Sequence, residues 1–364
     1  MSGKFVRRSF SEININDPFF DSLKQDYPGT SASTGFNEWF EKKARCGAYA
    51  LVFEDEQGIA AFISLKKEDS EAIYLQGGMI RPESRLKIST IKIDQRYRHQ
   101  RIGEGALGLI LWAWRDSSLN QIYVTVFDYH KDLIGLLEEF GFKCVGYSQN
   151  GERVYIKDRR NLDFSDPCKS FPFINGNMIY QAGLLVINME YHDTMFACSE
   201  LANAVQERVD ASVGNGLKKV YIGNPASLAI QEGQPVLIYR KYTGASGTPG
   251  FKSVITSYCI ATKVERFKQY GQFPTQEQFR AMVGNKSVFT DPELKERYNA
   301  SPNLTLIELL YMGYFGAGNN VNWYWLHEHG LWPNTYPTNF QYTKEQFETI
   351  LCAGNVDVSN VIVH

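Results

Sequence analysis

Between Leu86 and Arg115 the hydrophobic pattern of the chain changes period twice. Ile88, Thr90 and Lys92 alternate with Ser89, Ile91 and Ile93, and the β-branched bias of this run predicts a strand. The next eight residues, Asp94–Arg101, are polar and carry Arg96, Arg98, His99 and Arg101, which predicts a turn. From Gly103 onward Ala106, Leu107, Ile110, Leu111 and Trp114 recur at three- and four-residue spacing, the stripe of an amphipathic helix. Upstream, Ser11 to Ala50 reads as helical, with Phe19, Phe20, Leu23, Phe36, Trp39 and Phe40 divided by a turn at Tyr27–Thr30. Two apolar runs around Asp55–Gly58 predict a hairpin, and a further strand is expected near Ala72–Gln76. Downstream come a β-branched strand at Gln121–Phe127, a short helix ending at Gly141 and a strand at Arg153–Lys157. Helices, hairpin, strand, helix, strand, helix, strand in that order predict a mixed sheet.

Asn161 to Asp166 is polar and ends at Pro167, which marks a linker, so domains are expected at residues 1–160 and 161–364. The second half has strands before Gly223, after the Gly233 turn, and along Ser253–Phe267. Thr275…Gln278 and Thr343…Gln346 are capping boxes, and Asp291-Pro292 reads as an N-cap with proline at the first helical position. No internal repeat or low-complexity segment interrupts the pattern.

The chain of 364 residues can bury two cores of ordinary size. A formal net charge of −2 gives no global electrostatic case for nucleic acid, though it leaves room for a local basic patch. The six cysteines are scattered without a C-x-x-C pair, so buried reduced thiols are expected and no metal site. No apolar run reaches the length of a membrane span and the first residues lack a signal core, so the expectation is a cytoplasmic protein.

A strand feeding a turn and then a glycine-bearing helix N-terminus is a place to hold an anion. The first helical amides lack intrahelical partners, and the helix dipole favours negative charge. The lysine-bearing Walker loop is absent, as is a dinucleotide fingerprint placed closely behind the strand. Instead YRHQRIGEGAL resembles motif A of the GNAT superfamily of acetyl-CoA-dependent N-acetyltransferases, an apolar strand end followed by R/Q-x-x-G-x-G/A and a helix. Two registers fit. Arg98–Gly103 has the better strand-to-turn distance but puts Arg101 at the first glycine; Gln100–Gly105 keeps both glycines but shifts the helix. The first is favoured. LLEEFGFKCVGY resembles a second signature of the superfamily, and the resemblance extends over residues 1 to about 160.

The resemblance implies acetyl-CoA as cofactor and direct attack of an amine on its thioester. The loop from Arg98 through Gln100 to Gly105 would hold the pyrophosphate by backbone amides around Ile102, Gly103 and Glu104, with Arg98 or Arg101 adding charge. Ile91, Lys92 and Ile93 would pair with the pantetheine arm like an added strand. The tyrosine that often protonates the leaving thiolate in this superfamily is replaced by Leu137. His130, at the start of the following helix, is the substitute acid, with a suitable pKa for proton transfer, or else it caps and packs the helix start. Tyr129 is the neighbouring alternative. Asp94, at the strand end, would act as base through water or would cap the turn.

In the second half, the glycine turn, "VLIYR", a glycine-rich loop at Gly244–Gly250 and "SYCIATKV" resemble PUA-like β-barrels of the ASCH/EVE type, a class associated with RNA. The expected fold is therefore α+β: a GNAT mixed sheet with flanking helices, then a PUA-like barrel with added helices. Lys218, Lys219, Arg240, Lys241, Lys252 and Lys263, interleaved with Tyr242 and other tyrosines, would meet phosphates and stack on bases. WYWLHEHGLW reads as an apolar packing segment with two satisfied histidines, His327 and His329. Three functions follow. The first is an acetyltransferase whose acceptor is RNA-linked (tRNA or aminoacyl-tRNA), a toxin-like type with a cognate antitoxin. The second acetylates a protein lysine or small amine, the second domain binding protein. The third is a non-catalytic binder of acetyl-CoA or nucleic acid.

Overall fold

The computed structural model describes residues 5–30, 34–199, 212–224, 228–245, 247–269, 274–332, 334 and 337–364. Two compact units form: Met1–Ile110 with Leu119–Glu138 and Phe142–Asn161, and Leu111–Ser118 with Glu139–Gly141 and Leu162–His364.

The elements through residue 158 are β1 (Phe5–Ser9), α1 (Asp21–Asp26), α2 (Phe36–Arg45), β2 (Tyr49–Asp55), β3 (Gly58–Leu75), β4 (Gly78–Ile93), α3 (Ile102–Asp116), β5 (Gln121–Val126), α4 (Lys131–Glu139), β6 (Lys143–Tyr147) and β7 (Arg153–Asp158). The seven strands form one sheet in the order β1-β2-β3-β4-β5-β7-β6. Every neighbouring pair is antiparallel except β4 and β5, which run parallel. The expected hairpin is β2–β3. The strand expected near Ala72 is the far end of β3, which pairs with β4 almost to the Gln76–Gly77 turn. The stretch expected to be helical from Ser11 to Ala50 instead holds short helical turns and two helices, and β1 precedes it unannounced.

The aromatic residues of that stretch supply the core of one sheet face. Phe10, Phe19, Phe20, Phe36 and Phe40 bury against Phe62 of β3, with Trp39 and Leu23 packed around them. Each fully buried phenylalanine contributes about 1.5–3 kcal/mol. On α3, Ala106, Leu107 and Ile110 are wholly buried, as the three-and-four spacing requires.

The second unit contains α5 (Pro167–Ser170), β8 (Ile174–Asn175), β9 (Ala182–Asn188), α6 (Met189–Met195), α7 (Ser212–Asn215), β10 (Lys218–Gly223), β11 (Pro235–Lys241), α8 (Pro249–Lys252), β12 (Val254–Lys268), α9 (Gln276–Val283), α10 (Asp291–Ala300), β13 (Leu304–Tyr314), β14 (Val321–Asn322), α11 (Trp323–Glu328), β15 (Gln341–Tyr342), α12 (Lys344–Ala353), α13 (Val358–Val361) and β16 (Ile362–Val363). Its main sheet runs β10-β13-β12-β11-β9-β15, with β14 added to β12. The expected closed barrel does not form: among the described residues no pairing joins β10 to β15, and the path stays open. The apolar strands β9 and β13, absent from the sequence reading, occupy interior positions of this sheet. Both capping boxes start helices where expected, at Thr275 and Thr343. The third helix is capped one residue earlier than read: Thr290 and Glu293 form the box and Asp291 is already helical. Cys168 and Cys259 are buried and Cys198 is half-buried, while Cys46, Cys144 and Cys352 are exposed. The expectation of buried thiols fails for those three.

Candidate functional site

β4 and β5 pair only from Arg85↔Gln121 to Ile88↔Val124. On its other side β4 stays paired with β3 to its last residue; the register shifts at three places, and at the one nearest that end Ser64 faces Thr90 but Leu65 faces Ile88. Ser89 is therefore an extra residue, a β-bulge, placed where the parallel pairing stops. A bulge bends its strand and increases the local twist, which separates β4 from β5. From Ser89 to Ile93, the edge of β4 that would continue toward β5 has no ladder partner among the described residues. Ile91, Lys92 and Ile93 lie in this unpaired length. Lys92 also anchors the strand, since its ammonium donates to the Phe19 carbonyl and to Ser22 Oγ. Burial lowers its pKa.

The turn that follows is held by its own polar groups. Asp94 accepts from the Arg96 amide at 2.9 Å and pairs with the Arg96 guanidinium at 3.2 Å, so its carboxylate caps a short 3-10 turn, Gln95–Tyr97. Arg96 also donates to Gln57 at 2.6 Å and the Tyr97 hydroxyl to Asp55, tying the turn to the β2–β3 hairpin. The Tyr97 bond holds the Asp55 carboxyl below the usual range. His99 (φ 67°) and Arg101 (φ 59°) are both left-handed. Arg101, at the position where the favoured register expects glycine, thus takes the backbone conformation that glycine enters freely and other residues rarely do. Its guanidinium is committed locally, with Nε and Nη2 on the two carboxylate oxygens of Glu104 at 3.0 and 2.7 Å. Arg98 is exposed and 3.8 Å from Asp132. Gln100 donates its amide to the Tyr97 carbonyl and Gly105 donates to the Arg101 carbonyl. Ile102 fixes where the helix begins by burying against Phe53, Ala60 and Ala61, with Ile93 and Tyr97 packed beside it. The amides of Ile102, Gly103 and Glu104 occupy the first turn, where no intrahelical acceptor exists.

At the mouth of the parted strands stand Phe127, Tyr129 and His130. The Tyr129 ring stacks on Phe127 and lies 4.4 Å from the His130 ring. Tyr129 donates to Asp26 at 2.7 Å, and His130 Nε2 is 3.9 Å from the same carboxylate. Burial and the Asp26 bond push the Tyr129 phenol up to about 12. Leu137 is buried in α4 and offers no proton. Two residues that no sequence signal marked complete this region. Glu152, only 4% exposed, accepts from Tyr27 Oη at 2.7 Å, Thr125 Oγ1 at 3.0 Å and Ser148 Oγ at 3.4 Å. Burial, together with the Glu152 charge, drives the Tyr27 phenol far above its usual value.

In the second unit the basic residues divide. Lys219 is fully buried, donating to the Val213 and Gly216 carbonyls at 2.6 Å each. Arg240 is also buried, its Nε and Nη2 each 2.8 Å from the Asp193 carboxylate. These two are corrected: neither side chain is presented to a phosphate. His192 joins the cluster, with Nδ1 2.9 Å from Asp193 and Nε2 2.7 Å from Thr256 Oγ1. Lys218 pairs with Glu139 of the same unit. Lys241, Lys252 and Lys263 are exposed, with Lys252 4.7 Å over the Tyr242 ring and Lys263 3.6 Å from Glu265. Beside Lys252, exposed Phe251 lies 4.4 Å from the Tyr324 ring, which meets Trp323 at 5.1 Å. His327 and His329 are exposed against Trp323 and Trp325, not enclosed in a packing segment. In the glycine-rich loop, Ser246 falls outside the described residues, and Pro249–Lys252 is the short helix α8.

Residues 13–142 match the acetyltransferase (GNAT) family model, a family that uses acetyl-CoA. Among solved structures, the chain is similar to NAA60 of Arabidopsis thaliana in complex with acetyl-CoA, at 13% identity and TM-score 0.31, covering 43% of this chain and 100% of that one. It is similar to an N-acetyltransferase from Staphylococcus aureus at 18% identity and TM-score 0.29, covering 43% and 98%. It is also similar to ASCH from Zymomonas mobilis at 9% identity and TM-score 0.31, covering 47% and 94%. No curated protein matches the chain.

Proposed function

We propose that the first unit is an acetyl-CoA-dependent N-acetyltransferase and that its acceptor is an amine carried on RNA. The observation that carries the first statement is a coincidence in space within the region matched to the acetyltransferase family. The Ser89 bulge, the end of β4–β5 pairing and the opening turn of α3 follow one another along a single strand–turn–helix. The unpaired edge at Ile91–Ile93 supplies donors and acceptors for the amides of a pantetheine arm. The first amides of α3 supply donors for a pyrophosphate. One amide of the unpaired edge faces the thioester carbonyl and stabilises the oxyanion. His130 delivers a proton to the departing sulfur.

The acceptor class is supported by a set of cations and rings in the second unit. Exposed Lys252 lies over half-buried Tyr242, which exposed Lys241 precedes in the chain, and exposed Phe251 meets half-buried Tyr324 beside Trp323. Cations that reach phosphates beside aromatic faces that stack on unpaired bases are the combination single-stranded RNA requires. Incubating the purified protein with labelled acetyl-CoA and whole-cell extract, then separating RNA, protein and small molecules, tests both statements. Label in RNA is expected. Label in protein or small amines would overturn the acceptor, and absence of both transfer and acetyl-CoA binding would overturn the enzyme.

A further inference from the structure

We propose that Glu152 is the general base, receiving the acceptor as an ammonium ion and taking its proton. The inference rests on the acetyltransferase reading and adds the acceptor subsite to it. Thr125 is the first residue of β5 beyond the last pair with β4, Ile88↔Val124, so its side chain stands where the strands have parted. The Glu152 carboxylate is bonded to that side chain. Its partners are three hydroxyls, those of Tyr27, Thr125 and Ser148, and no lysine, arginine or histidine forms an ion pair with it among the described residues.

A carboxylate removed from water and answered only by neutral donors is costly, because hydroxyls return part of the lost hydration and no opposite charge. The position therefore favours a cation. Asp26, bonded to Tyr129 across the same mouth, adds a second negative charge, and the rings of Tyr27 and Phe127, 5.7 Å apart, form an apolar wall. An alkyl chain ending in an ammonium group matches these features: cationic head toward Glu152 and stem against the rings.

Glu152 takes one proton from the ammonium. The freed lone pair attacks the thioester carbonyl carbon, forming the C–N bond. Collapse of the tetrahedral adduct breaks the C–S bond, its electron pair leaving with sulfur; His130 gives that sulfur a proton and is restored by the second proton shed by nitrogen. Glu152 then releases its proton to solvent, so one ammonium and one acetyl thioester become one amide, one thiol and one proton.

The test uses the full chain with labelled acetyl-CoA and whole-cell extract as the acceptor mixture, followed from about pH 6 to about pH 9. Glu152→Gln keeps the shape and removes the base. Acetyl-CoA affinity, measured by calorimetry, should stay within about twofold. Transfer at neutral pH should fall about a hundredfold, the lower end for loss of a general base, and the deficit should shrink as pH rises and free amine becomes abundant. A deficit constant across the range, or none, overturns the role of Glu152 while leaving the acetyltransferase reading intact. A wild-type protein that neither binds acetyl-CoA nor transfers label overturns both. Tyr27→Phe provides a second route should Glu152→Gln not fold. Losing one of the three donors leaves the carboxylate less firmly placed, so transfer should fall while acetyl-CoA affinity stays within about twofold, and an unchanged rate counts against the proposal.

Discussion

Asp193→Asn is the perturbation whose consequences the second unit defines most fully. Asp193 accepts from Arg240 through two bonds of 2.8 Å and from His192 at 2.9 Å. Burial alone would raise its pKa, but the Arg240 and His192 bonds outweigh it and bring the carboxyl down to about 2. Against an ordinary value of 3.8, that difference amounts to about 2 kcal/mol. A depressed carboxyl pKa stabilises the fold above the unfolded value, so the contribution is present above about pH 4 and disappears as pH falls toward about 2. His192 works in the same direction: burial lowers its pKa, so protonation in acid also opposes the folded state. Asparagine offers one acceptor and one donor where two acceptors stood, which leaves the buried Arg240 guanidinium without its counter-charge. The expected loss near neutral pH is about 3–5 kcal/mol. Urea unfolding followed by fluorescence at neutral pH and at about pH 3 checks both statements. The variant should unfold at lower urea at neutral pH and lose less than the wild type on acidification. Equal midpoints at neutral pH, or equal losses in acid, would show that the Asp193 charge does not hold Arg240 and His192 in the folded state.

His130→Ala should lower the rate of acetyl transfer by about a hundredfold without changing acetyl-CoA affinity; an unchanged rate in single-turnover measurements removes His130 as the acid. Lys219→Ala and Lys263→Ala should separate folding from RNA contact. The first removes a buried ammonium that satisfies two carbonyls and should destabilise the protein by about 2–3 kcal/mol, read by thermal unfolding. The second should leave stability within about 0.5 kcal/mol and flatten the salt dependence of RNA binding by about one counterion. Identical salt slopes for Lys263→Ala and wild type would exclude that lysine from an RNA contact.

Local patterns were sufficient for several features. The β2–β3 hairpin follows from two apolar runs around a glycine-bearing turn, and α3 follows from its three-and-four stripe. The capping boxes at Thr275 and Thr343 are carried by residues three apart. In each case the determining interactions lie within one turn or one hairpin, so the sequence alone contains them. The strand–turn–helix from Ile88 to Trp114 belongs to this group, including the unusual Arg101, whose identity was visible but whose left-handed backbone was not.

Tertiary structure decided the rest because the deciding neighbours are remote along the chain. Glu152 lies in a polar turn indistinguishable from a surface loop until Tyr27 and Thr125 meet its carboxylate. Lys219 and Arg240 read as basic surface residues of β strands, yet burial assigns one to main-chain carbonyls and the other to Asp193. The Ser89 bulge is a mismatch between two strands, so it exists only once β3 and β4 are in register. β9 and β13 are mostly apolar without strict alternation, and such runs carry no clear period until neighbouring strands cover both faces. Whether the second sheet closes depends on the pairing of its outermost strands, β10 and β15, whose sequences carry no instruction about each other.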